Sequence, residues 1–79
     1  MKIVDSVDVR KEVCSRPVLD VKIKMNKINP GEVLEVLADT NSQKDILRIF
    51  GEILKHEVVD SRSENDYVRI LLRKTEGGR

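Results

Sequence analysis

Cys14 is the only cysteine of the chain, and among its side chains the one best suited to carry a transferable group, because a thiolate is the nucleophile of sulfur chemistry. It ends the run Val7-Asp8-Val9-Arg10-Lys11-Glu12-Val13-Cys14-Ser15-Arg16-Pro17 after a strand and just before a helix. Unpaired backbone N–H groups and the helix dipole at such a junction favour an anion. Arg10, Lys11 and Arg16 add positive charge within a few residues, and Pro17 suits the first helical turn, fixing the entry so that the sulfur is presented. The competing reading is a structural cysteine filling a gap in the core, since free cysteine is among the most buried residue types. Position alone leaves the two nearly balanced, with the basic neighbours tilting towards reactivity.

Other chemistry is poorly served. One cysteine cannot close an internal disulfide, and with one histidine it cannot assemble the usual four-ligand zinc cage, so no metal is expected. His56 falls at the end of a helical pattern and reads as a surface or capping residue rather than a base for Cys14. Residues 10–27 hold six bases against Glu12 and Asp20, whereas residues 31–66 hold nine acids against four bases. The stretch around Cys14 is therefore expected to be electropositive and to meet acidic partners, with Lys22, Lys24 and Lys27 as a solvated helix face that doubles as a docking patch. No stretch approaches the roughly 18 apolar residues of a membrane span, and the opening residues lack the apolar run of a secretion signal, so a cytoplasmic protein is expected.

Seventy-nine residues give one domain with a thin core, over residues 1–74, while residues 75–79 read as a disordered tail. Ile3-Val4 and the alternation Val7 to Arg10 predict a strand. From Val18 the apolar residues fit both periods: Val18, Val21, Met25 and Ile28 are helical, Leu19, Val21, Ile23 and Met25 alternate, and helix is preferred. Asn29-Pro30-Gly31 stops it. Glu32 to Asp39 predicts a second strand, and Thr40 with Gln43 or Ser42 with Asp45 has the spacing of a capping box opening a second helix through Leu54. Val58-Val59 and Tyr67 to Leu72 predict two more strands about a polar turn from Ser61 to Asp66, with Leu71 facing away from the core. The order is β-α-β-α-β-β, an α/β two-layer sandwich with two helices on one face of a four-stranded mixed sheet.

The run around Cys14 resembles the signature of the TusA-like (SirA-like) sulfur carriers, Leu-Asp-x-Arg-Gly-x-x-Cys-Pro-x-Pro, with its spacing kept. Pro30-Gly31-Glu32, Ala38-Asp39-Thr40 and His56-Glu57-Val58 resemble further family positions, so the likeness covers residues 5–74. It implies the same sandwich and a Cys14 that accepts sulfur as a persulfide or thiosulfonate without a cofactor. A donor and an acceptor protein are implied as partners, with any link to tRNA indirect. Asp8, Arg10 and Pro17 match signature positions, and Asp8 is as readily a brace for the loop as a substrate contact. Ser15 stands in place of the first proline, where it can cap the helix, and Lys11 in place of glycine, which it can fill only if that position needs no positive φ. The alternative is a non-catalytic module that binds RNA or protein through its basic helix, against which the scarcity of aromatic rings argues.

Overall fold

The two periods superposed on residues 18–25 resolve to a helix. In a computed structural model, which describes residues 2–75, α1 runs Arg16–Lys27, with Val21 and Met25 buried while Leu19 and Ile23 stay 48% and 45% exposed. A strand would have placed all four on one face; the helix divides them between core and solvent. Gly31, at φ 90, then turns the chain back, and its N–H donates to the Lys74 carbonyl at 2.7 Å.

The remaining elements are β1 (Ile3–Asp8), β2 (Val33–Ala38), α2 (Thr40–Ile46), β3 (Glu57–Ser63) and β4 (Val68–Arg73). The sheet order is β1-β2-β4-β3, with β1 parallel to β2 and both other pairs antiparallel. It is the expected four-stranded mixed sheet. One face is filled by Leu34, Val36 and Ala38 of β2 and Val68, Ile70 and Leu72 of β4, which pack with Val21 and Met25 of α1 and with Ile46 and Phe50 beyond it. Both helices thus cover the same face, and alternate residues of β2 and β4 meet them.

Local details depart from the expectations above. Helix α2 has no capping box: Asp39 occupies the N-cap position, no side chain caps the helix, and the Asp39 carbonyl accepts the N–H groups of Ser42 and Gln43. The helix continues in a wider π-helical coil over Leu47–Ile53, in which Gly51 lies so close to β3 that a Cβ there would come within 3.1 Å of Val58 Cγ2. Strand β3 continues to Ser63, through half of the stretch read as a turn; among the described residues it pairs only with β4, and polar residues suit such an edge. Leu71 does face away from the helices, opposite Glu35 and Asp60, yet is only 3% exposed. Thr75, read as tail, is held: its N–H donates to His56 Nδ1 and its hydroxyl to the Lys55 carbonyl. Residues 76–79 lie outside the described residues.

Candidate functional site

The loop between β1 and α1 carries Cys14. Cys14 is exposed and adopts φ 60, the left-handed region that an L-residue enters only at a cost. Lys11, three residues earlier, also lies there at φ 70, so the position the family reserves for glycine does require positive φ and lysine occupies it under strain. Two carboxylates hold the loop against that strain. Asp39 Oδ2 accepts the Lys11 N–H at 2.7 Å. Asp8 accepts the Arg10 N–H at 3.0 Å, its Nε at 2.9 Å and its Nη2 at 2.7 Å. Those bonds, the guanidinium first, bring the Asp8 pKa down to about 2. Asp8 is a brace. Arg10 in turn lies over the Tyr67 ring, 5.1 Å from its centroid.

Cys14 opens into a hollow of about 240 Å³ between the start of α1 and the first turns of α2, lined also by Glu12, Val13, Pro17, Val18, Asn41, Ser42 and Asp45. Arg10 and Lys11 line a separate hollow of about 380 Å³ with Asp8, Asp39 and Asp66. The left-handed turn at Lys11 and the Asp8 clamp on Arg10 direct these bases away from the sulfur. Among the described residues, no basic side chain lines the hollow of Cys14. Arg16 is close in sequence, but its Nε lies 3.6 Å from Asp20 Oδ1. The helix offers fewer free donors than the sequence suggests, because the Arg16 N–H donates to the Val13 carbonyl and Pro17 has none.

Ser15 stands at the N-cap position at φ −89 and makes no side-chain cap, contrary to expectation; its carbonyl accepts the Leu19 N–H at 3.1 Å. Pro17 is buried at the second helical position and fixes the helix against the fold. Lys22 and Lys27 are exposed, whereas Lys24 Nζ reaches back to Asp5 at 3.2 Å on β1. His56 accepts a hydrogen bond from Thr75 at the far end of the second helix, and burial, then Lys74, lowers its pKa. It does not line the Cys14 hollow.

Sequence reasoning missed Glu12, Asn41, Ser42 and Asp45 as neighbours of the sulfur. Glu12 has a signal, its place two residues before Cys14; the other three come from another element and have none. Glu12 Oε1 has no hydrogen-bond partner and almost no exposed surface among the described residues. Burial, then the neighbouring Asp20 carboxyl, raises the Glu12 pKa, with Arg16 opposing.

Known proteins are similar in sequence and in fold. The family described as sulfurtransferase TusA matches residues 5–74. A candidate sulfur carrier protein of Archaeoglobus fulgidus is 36% identical over 69 residues, covering 86% of this chain and 93% of its own. Another, from Halobacterium salinarum, is 34% identical over 74 residues, covering 92% and 91%. The crystal structure of a SirA-like protein from Desulfitobacterium hafniense has the same fold, with a TM-score of 0.77 over 92% of this chain and all of that one at 18% identity. With that family matching residues 5–74, across every strand and helix described above, the chain belongs to the TusA sulfurtransferase family.

Proposed function

We propose that the protein is a sulfur carrier in which Cys14 takes sulfur from a donor protein as a persulfide and passes it to an acceptor protein. In the loading step the Cys14 thiolate attacks the outer sulfur of the donor persulfide. A new S–S bond forms at Cys14, the donor's S–S bond breaks, and its electron pair leaves with the inner sulfur as the donor thiolate, while the transferred outer sulfur keeps its proton. Unloading is the same exchange, with the acceptor as nucleophile and Cys14 as leaving thiolate. No cofactor is needed, because neither step changes the oxidation state of the pair overall.

The observation that carries this reading is the exposed Cys14 at a left-handed loop position, in the family's signature place and beside a hollow able to admit a small cargo. Docking is assigned to the exposed side of α1, where Lys22 and Lys27 flank Leu19 and Ile23, and partners of acidic surface fit it. Lys24 contributes less, its ammonium being engaged by Asp5. The RNA-binding alternative lacks a stacking platform: Phe50 is fully buried and Tyr67, the other aromatic residue, lies beneath Arg10.

Mass spectrometry after incubation with a persulfide-bearing donor tests the reading. The wild type should gain one sulfur atom at Cys14, and Cys14→Ser should fold yet gain none. A wild type with a free thiol that no persulfide donor loads would overturn it.

A further inference from the structure

The acids around the sulfur are not equivalent. Asp45 lies 3.6 Å from Arg48 Nη2, and Asp20, beside Glu12, lies 3.6 Å from Arg16 Nε. Glu12 lines the hollow with Cys14 and has no cation within ion-pair distance among the described residues. Its Oε1 has almost no exposed surface and no hydrogen-bond partner among the described residues. A cargo sulfur extending from Cys14 thus meets a wall that, among the described residues, holds the Glu12 carboxyl and no arginine or lysine.

From this we infer, resting on the carrier reading, that Glu12 is a specificity-determining residue that selects sulfur able to be uncharged and rejects permanently anionic sulfur. A terminal persulfide can take a proton and become neutral beside Glu12. A sulfonate cannot. With tetrathionate, the Cys14 thiolate would attack an inner sulfur and form Cys14–S–S–SO₃⁻, the central S–S bond breaking and its electron pair leaving on thiosulfate. Both the reagent and the product put fixed negative charge next to Glu12, and that repulsion slows the step. The protein accordingly draws on donors presenting persulfide sulfur rather than on thiosulfate-derived anions.

The test compares second-order rates of Cys14 with two aromatic disulfides, the dianionic 5,5′-dithiobis(2-nitrobenzoate) and the neutral 4,4′-dithiodipyridine. Their ratio cancels changes in the reactivity of the thiol itself. At low salt the ratio should lie about three- to tenfold below that of N-acetylcysteine amide, an uncharged reference thiol. It should rise towards the reference in roughly 1 M salt, where screening reaches only about 3 Å. Glu12→Gln should raise it at low salt, and labelling by tetrathionate should rise with it. A ratio equal to the reference, indifferent to salt, or unmoved by Glu12→Gln overturns the inference, and the salt series needs no variant to fold. The rates do not depend on sulfur loading, so a failed charge selection is distinguishable from a failed carrier reading.

Discussion

Asp39 accepts the backbone N–H of Lys11 at 2.7 Å, so the residue that leads into α2 holds the loop that presents Cys14. Removing the acceptor leaves that N–H without its partner and frees a strained turn. Asp39→Ala should lower stability by about 1–2 kcal/mol in urea unfolding, with Asp39→Asn recovering part because an amide oxygen still accepts. An Asp39→Ala midpoint equal to wild type would show that the bond does not brace the loop.

Lys11 lies at φ 70 without the freedom of glycine. Lys11→Gly should raise stability by about 1 kcal/mol, the ordinary cost of a left-handed L-residue less glycine's extra entropy in the unfolded chain. A loss of stability would mean that contacts of the lysine side chain outweigh the strain.

Ser15 occupies an N-cap position without capping. Ser15→Ala should therefore shift stability by less than about 0.5 kcal/mol, against about 1 kcal/mol for a true cap. Thermal and urea midpoints together decide it, a drop of the larger size restoring the hydroxyl as a cap.

His56 has its pKa below the ordinary 6.5, chiefly through burial, and its Nδ1 accepts the Thr75 N–H. In the unfolded chain it binds a proton more readily than in the folded one, so stability rises with pH. The contribution is fully present above 6.5 and is lost as pH falls from there through the lower folded value. Stability measured from about pH 7 to pH 5 should decline in the wild type and decline less in His56→Gln. Parallel profiles would remove His56 as the group responsible.

The fold was legible where one face is buried and the other wet: the β2 and β4 alternations and the Asn29-Pro30-Gly31 stop all stand in the structure. It was illegible at β3, because an edge strand bearing Ser61, Arg62 and Ser63 has the composition of a turn. The π-helical coil leaves no mark in a 3.6-residue period. Cys14 could be named from its motif, but its electrostatic setting could not. Counting charges along the chain puts Arg10 and Lys11 beside the sulfur, whereas the backbone turn at Lys11 carries them to another hollow and brings in Asp45 from α2.

The strand order β1-β2-β4-β3 has a consequence for biosynthesis. Strand β4 is the last of the four to leave the ribosome, yet it lies between β2 and β3 and, among the described residues, is the only partner β3 has. A nascent chain lacking residues 68–73 holds only the β1–β2 pair, with half of the apolar face of β2 uncovered. The thiol emerges early, long before the long-range pairings that complete the sheet can form. Until Arg73 has been made, Cys14 belongs to an unfinished sheet, so its loop is set only once β4 has docked beside β2.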